Sequence, residues 1–164
     1  MMKKYKIKIV NALLAIVMIL AINVTTYAEP MQGNLGETID GSMLTNETFS
    51  EKIMENRTRG NFLNRGVARL TNNGNGSVNS YGAVVGAVIC DRLELRMTLQ
   101  RLQGGTWTTV KTFSDTAYNS SLLTKSYNTS VAGGYYYRLK VACVAFEGGA
   151  SESQMPVTDG IWID

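Results

Sequence analysis

The sequence predicts an all-β fold, an antiparallel β-sandwich of about seven strands, preceded by a signal peptide and a flexible leader. Three observations lead to this prediction. From about Gly66 onward, polar and apolar residues alternate with a period of two, the period of a strand with one buried face. Turns rich in glycine and asparagine interrupt this alternation about every ten residues. Tyr135–Phe146 is apolar at every second position, as in a strand that lines a core.

Residues 1–28 have the three parts of a secretory signal peptide. Met1–Lys8 is basic, Ile9–Val24 is apolar apart from two asparagines, and Thr26 and Ala28 provide the small residues of a cleavage site. The apolar run is shorter than the ~20 residues of a membrane span, and an uncleaved anchor is the alternative interpretation. We therefore expect a secreted, extracellular protein with no stable membrane anchor after cleavage.

Residues 29–64 have the composition of a flexible leader. They contain six acidic and three basic residues, few β-branched residues and three early glycines. Thr48 and Glu51 have the spacing of a helix capping box, and Phe49 and Ile53 lie one helical turn apart. These spacings indicate a possible short helix near 48–56, which needs a docking surface to be stable.

Residues 65–164 form the predicted β-sandwich domain. The first strand is Gly66–Thr71, the turn at 72–76 follows, and Ser77–Ile89 is the second strand. Leu93–Gln100 is the clearest amphipathic strand of the chain. The remaining strands are predicted over Thr106–Phe113, Ser120–Ser130, Tyr135–Phe146 and part of Gln154–Ile163. The length of this domain is close to the ~100 residues of an immunoglobulin- or fibronectin-like sandwich.

Cys90 and Cys143 are the two cysteines of the chain, and each lies near the end of a predicted strand. Alternation places both sulfurs on inward faces. In a secreted chain with two cysteines, an intramolecular disulfide is the default, so we predict a Cys90–Cys143 bond. A pair of buried free thiols is the alternative.

The composition excludes several classes of function. The chain has no histidine, which removes catalytic sites that depend on an imidazole and most zinc sites. Four of the sixteen basic residues lie in residues 1–28, so the remaining chain has twelve basic and thirteen acidic residues and lacks the positive charge of a nucleic-acid binder. We therefore expect no enzyme activity, no cofactor, no metal site and no nucleic-acid partner. Two acids close in space could support glycoside hydrolysis, but acids at loop ends are mostly solvated, so no catalytic pair is expected among Asp91, Glu94, Glu147, Glu152 and Asp159.

The strand Tyr135–Phe146 also has a polar face. Alternation places Tyr136, Arg138 and Lys140 opposite the apolar face, where a sandwich meets solvent. An aromatic ring beside two cations could bind an anionic or sugar ligand, so we predict these three residues as a binding face. Cross-strand packing is the alternative. For Trp107 and Trp162, packing at a sheet edge is preferred over ligand stacking.

Three short motifs are Thr58–Asn64, Gly133–Arg138 and Thr158–Ile161. Together with the signal peptide, they resemble a family of small secreted proteins of unknown function from Gram-positive, Clostridia-type bacteria. The resemblance implies an exported bacterial protein and supplies no catalytic residues. The tyrosine-rich start of the penultimate strand also resembles fibronectin-type modules in architecture alone.

The function expected from the sequence is that of a secreted, non-enzymatic binding or interaction domain. Its partner would be an unknown protein or glycan at the cell envelope. The first alternative is a secreted antimicrobial or toxin-like protein, for which processing near Arg57–Arg65 would be the sign. A carbohydrate-active enzyme is a distant third.

Overall fold

The computed structural model describes residues 43–55 and 62–164. The predicted signal peptide, 1–28, and residues 29–42 and 56–61 lie outside the described residues. The described part is all-β and contains no helix, so none that could span a membrane. Its strands are β1 (Leu44–Thr45), β2 (Phe49–Glu55), β3 (Leu63–Gly74), β4 (Ser77–Gln103), β5 (Thr106–Ser130), β6 (Tyr135–Glu147), β7 (Ala150–Gln154) and β8 (Gly160–Ile163).

These strands form one mixed, eight-stranded sheet. Its main order is β1-β8-β6-β4-β3-β2, with β5 paired to β4 and β7 paired to β6. The β1–β8 pair is parallel, and the other pairs are antiparallel. The all-β class predicted from the sequence is therefore confirmed, with the chain arranged as a single curled sheet.

The long hairpin of β4 and β5 organises the sheet. Its turn is Gly104-Gly105, where both residues have positive φ angles of 59° and 77°, a conformation that glycine adopts without strain. β3 pairs with the first half of β4, and β6 pairs with the second half. β5 pairs with both halves of β4. The predicted strands 77–89 and 93–100 are therefore joined in β4, and the predicted strands 106–113 and 120–130 are joined in β5.

A bulge bends this hairpin and folds the sheet onto itself. Val85 pairs with Leu122 and Cys90 pairs with Ser120, so four residues of β4 lie opposite one residue of β5. The two halves of β5 then face each other, and the rings of Phe113 and Tyr127 stack with centroids 4.3 Å apart. The sheet thus encloses a core between its two halves.

The core contains the apolar face predicted for the penultimate strand. The side chains of β6 that alternation assigned to the core are at most 1% exposed from position 137 onward, and they are Tyr137, Leu139, Val141, Cys143 and Ala145. Leu93, Leu95, Met97 and Leu99 of β4 are equally buried. The periodicity of both segments was therefore sufficient to identify the inner face.

The short helix predicted near 48–56 is wrong, because Phe49–Glu55 is β2. This segment pairs with β3 along its whole length, from Phe49 opposite Thr71 to Glu55 opposite Arg65. Glu51, the presumed capping residue, instead binds Arg69 with 2.7 Å between the charged groups. The free edge of β3 supplies backbone hydrogen-bond partners, which a solvated single helix of this length could not match. The described part of the predicted leader is thus part of the sheet.

The predicted Cys90–Cys143 disulfide is absent, and both cysteines are buried free thiols. Cys143 pairs with Leu95, which follows Cys90 by five residues along β4. Five strand residues span about 17 Å, whereas the Cα atoms of a disulfide lie within about 7 Å of each other. Inward orientation was predicted correctly, but the strand register keeps the sulfurs in different parts of the core.

Candidate functional site

The predicted binding face on β6 is largely covered. Tyr136 is 5% exposed and Arg138 is 4% exposed, while Lys140 is half-buried. A second apolar cluster covers this end of the outer face, and its members are Leu102, Trp107 and Tyr136, with Leu44 and Trp162 packed against them. The expectation that Tyr136 and Arg138 face solvent is therefore wrong.

Arg138 and the aromatic side chains of this cluster contact one another. The guanidinium carbon of Arg138 lies 4.4 Å from the ring centroid of Trp107, and its Nε donates to Oε1 of Gln100 at 2.8 Å. The rings of Tyr136 and Trp162 meet edge to face at 5.0 Å. Burial raises the pKa of Tyr136. This region therefore packs against the sheet, in agreement with the preferred interpretation of the tryptophans and with the packing alternative for Tyr136 and Arg138.

The outer face becomes accessible farther along the same strands, where it is lined by residues of β4, β5 and β6. We call this region the basic face, and it consists of Arg92, Glu94, Arg96, Thr98, Ser114, Thr116, Lys140, Ala142 and Val144. In the ladder, Arg96 lies between Ser114 and Ala142. Because Ser114 and Ala142 have short side chains on either side of the long Arg96 side chain, a groove of about 330 Å³ lies between the neighbouring strands.

One cation, Arg96, lines the groove together with two acids, Glu94 and Asp115, and a second cation, Lys140, lies just beyond the lining residues. Arg96 is exposed, and no ion pair to it is seen among residues 43–55 and 62–164. Lys140 pairs with Thr98, which is two residues along β4 from Arg96. Arg96 and Lys140 are therefore diagonal neighbours on the same face, at backbone positions about 7 Å apart. Glu94 forms an exposed ion pair with Arg92 at 3.0 Å, and Asp115 lies 3.6 Å from Lys125. A guanidinium beside the Ser114 and Thr116 hydroxyls can bind a carboxylate or phosphate with paired hydrogen bonds.

Three of the acids considered for catalysis lie near Cys90. Glu147 accepts a hydrogen bond from the backbone of Asp91 at 2.9 Å, and Asp91 accepts one from Gly148 at 3.0 Å. Glu152 accepts one from the backbone of Leu63 at 2.8 Å. Burial raises the pKa of Cys90, and the neighbouring carboxylates raise it further. Each of these acids therefore accepts a backbone hydrogen bond that holds the fold together, between the end of β6 and the middle of β4 or between β7 and the start of β3.

Sequence reasoning identified Lys140 and missed Arg96 as its neighbour. The alternation of Leu93–Gln100 already placed Glu94, Arg96 and Thr98 on an outward face. The missing information was the pairing of β4 with β6, which joins segments about 45 residues apart in the chain and brings Arg96 beside Ala142.

Comparison with known proteins identifies no family. No family model matches the chain, and no curated protein sequence matches it. Among solved structures, the chain is similar to the sporulation control protein Spo0M from Bacillus subtilis, with a TM-score of 0.32 and 12% sequence identity. The match covers 72% of this chain and 50% of the Spo0M chain, so the chain spans about half the length of that protein.

Proposed function

We propose that the protein is a secreted, non-enzymatic β-sandwich module that binds an acidic component of the cell envelope through the basic face. The supporting observation is the groove of about 330 Å³ beside Arg96, with Lys140 as the second cation. A ligand that carries carboxylate or phosphate groups at regular spacing would satisfy both cations together. This proposal keeps Lys140 from the sequence analysis and replaces Tyr136 and Arg138 with Arg96.

The chemistry of the groove favours a polymer over a compact ligand. The groove is only partly enclosed, and short hydroxylated side chains line one side of it, at Ser114 and Thr116. Such a surface encloses little of a small molecule, whereas a typical small-molecule site buries most of its ligand. An extended chain can instead cross the strands and place successive anionic groups at Arg96 and Lys140.

The test is binding of the secreted protein to soluble acidic polymers. Polygalacturonate supplies carboxylates, poly(glycerol phosphate) supplies phosphates, and dextran is the neutral control. We expect the acidic polymers to bind and Arg96→Ala/Lys140→Ala to weaken binding by at least about tenfold. Binding should also fall as salt rises from about 50 to 500 mM, because the cations are partly exposed.

A matched control removes the same charge away from the groove. Lys52 on β2 and Lys111 on β5 are exposed, and neither lines the groove. Lys111 instead lies over the ring of Phe113, so Lys52→Ala/Lys111→Ala leaves the basic face intact. This control should bind the acidic polymers as the unmodified protein does. Equal losses in both double variants would mean that net charge alone governs binding, and the absence of binding to either acidic polymer would refute the proposal.

A further inference from the structure

A second outward surface lies on the other half of the folded sheet, on β2, β3, β4 and β5. Two complete rows of paired residues cross these four strands. The first row is Phe49, Thr71, Asn79 and Asn128, and the second is Glu51, Arg69, Tyr81 and Ser126. We call these eight residues and Asn73 the amide face. Its two rows span about 14 Å across the strands, the width of four strands spaced about 4.8 Å apart.

The amides of this face hold one another in fixed orientations. Nδ2 of Asn79 donates to Oδ1 of Asn128 at 2.7 Å and to Oγ of Ser126 at 2.8 Å. Nδ2 of Asn73 donates to the same Asn128 oxygen at 3.2 Å. Within the described part of the chain, the NH₂ group of Asn128 has no acceptor, so this donor is available to a ligand.

Aromatic rings lie beside the amides. Tyr81 is half-buried next to Ser126, with the guanidinium of Arg69 6.0 Å from its ring centroid. Phe49 is 52% exposed on the outer strand of the face. An exposed ring can pack against the C–H face of a sugar, while neighbouring amides serve its hydroxyls as donors and acceptors.

The charge of the amide face selects among ligands. Its charged side chains are Glu51 and Arg69, and they neutralise each other at 2.7 Å. An acidic polymer would be repelled by Glu51 and find Arg69 engaged. A neutral ligand rich in hydroxyl groups can hydrogen-bond to the fixed amides without displacing this ion pair. The width of the face fits a short oligosaccharide better than a single sugar.

From this geometry we propose that the amide face binds a neutral oligosaccharide. This site is separate from the basic face, because the bulge of β4 places the two faces on different halves of the sheet. The proposal therefore goes beyond the proposed function and stands or falls without it. A protein with both sites would connect a neutral glycan to an acidic polymer.

The test is a titration followed by the side-chain amide signals of Asn73, Asn79 and Asn128 in ¹H–¹⁵N spectra. The probes are hexasaccharides of β-1,4-glucose, β-1,3-glucose, mannose and N-acetylglucosamine, with hexagalacturonate as the acidic comparison. We expect at least one neutral probe to shift these signals with a Kd of about 1 mM or lower. Binding should be unchanged between about 50 and 500 mM salt, since no net charge is involved.

Substitutions in the amide face test whether the neutral probe binds there. Tyr81→Ala and, separately, Asn128→Ala should each weaken the neutral probe by about tenfold or more. Tyr81→Phe should retain most of the affinity, and Arg96→Ala on the basic face should retain all of it. Asn128 is exposed, so its variant tests the site even if Tyr81→Ala destabilises the fold.

The proposal would be overturned by undiminished binding of the neutral probe to Asn128→Ala, by shifts caused by hexagalacturonate alone, or by the absence of shifts with every neutral probe. Shifts that depend on protein concentration without sugar would show that a second copy occupies the face, and they would also overturn it.

Discussion

The hydroxyl of Ser50 accepts a hydrogen bond from the backbone N–H of Asp159 at 2.9 Å, across 109 residues of sequence. This bond fastens β2, in the segment predicted to be a leader, to the residue that precedes β8. Ser50 is 7% exposed, so water cannot readily replace the hydroxyl. The segment around β2 is thus held by side-chain as well as ladder hydrogen bonds.

Ser50→Ala should lower the free energy of unfolding by about 1–3 kcal/mol, because it leaves a partly buried N–H without this acceptor. Urea denaturation measures the change. Thr48→Ala alters an exposed hydroxyl two residues away and should change stability by less than about 0.5 kcal/mol. If both variants have the stability of the unmodified protein, the contact between β2 and Asp159 does not stabilise the fold in solution.

Tyr136→Ala should lower the free energy of unfolding by about 3–5 kcal/mol, the usual cost of removing a large buried aromatic side chain. The reason is its place in the second apolar cluster, against the ring of Trp162. Tyr136→Phe keeps the ring and loses a hydroxyl that lies 3.4 Å from Asn46, so it should cost less than about 1 kcal/mol. Chemical denaturation of both variants gives the comparison. Equal stability of Tyr136→Ala and the unmodified protein would restore the sequence-based expectation of a solvent-exposed tyrosine.

The contrast between Tyr136 and Tyr137 shows what the sequence could predict. Alternation places neighbouring side chains on opposite faces, and it correctly assigned Tyr137 to the inner core. It could not show that the outer face is also covered near Tyr136, because part of that cover, Leu44, comes from a segment 92 residues away. Alternation predicts the face of a residue, whereas burial on a second face depends on tertiary contacts.

The same limit applies to the cysteines and to β2. Inward-facing sulfurs follow from local periodicity, but their separation depends on which residues of β4 and β6 are paired. The spacing of Thr48, Phe49, Glu51 and Ile53 suits a helix, yet the free edge of β3 selects a strand. The amide face requires the order of four strands, which turn signals alone do not determine. Tertiary pairing therefore overrides local preference at these positions.

Gly86→Ala should destabilise the protein more than Gly82→Ala. A Cβ at Gly86 would lie 2.7 Å from the carbonyl oxygen of Val88, which belongs to the backbone of the β4 bulge. A Cβ at Gly82 would meet Sδ of Met97 at 2.9 Å, and a flexible methionine can move away. We expect a loss of about 1–3 kcal/mol for Gly86→Ala and a smaller loss for Gly82→Ala. Thermal and urea unfolding of the pair test the order, and the reverse order would argue against the tight bulge.

Cys143 should make the stability of the protein depend on pH in the alkaline range. Burial raises the pKa of this thiol from its ordinary value of 9.0 to about 12 in the folded protein. Below pH 9.0 the thiol is protonated in both states, and its contribution to stability is complete. Between pH 9.0 and about 12, the unfolded thiol ionises while the folded one stays neutral. The contribution of Cys143 to the free energy of unfolding should therefore fall by about 1.4 kcal/mol per pH unit in this range.

Urea denaturation at several pH values, with Cys143→Ala as the reference, isolates this contribution. Tyrosines and Cys90 titrate in both proteins, so the difference between the two free energies reports mainly on Cys143. We expect this difference to be constant below pH 9.0 and then to shift progressively toward favouring the variant as pH rises. Iodoacetamide should modify neither cysteine in the folded protein near neutral pH and both after unfolding, because the two thiols are buried and free. A pH-independent difference, or a Cys90–Cys143 linked peptide in a non-reducing digest, would contradict the assignment of a buried free thiol at Cys143.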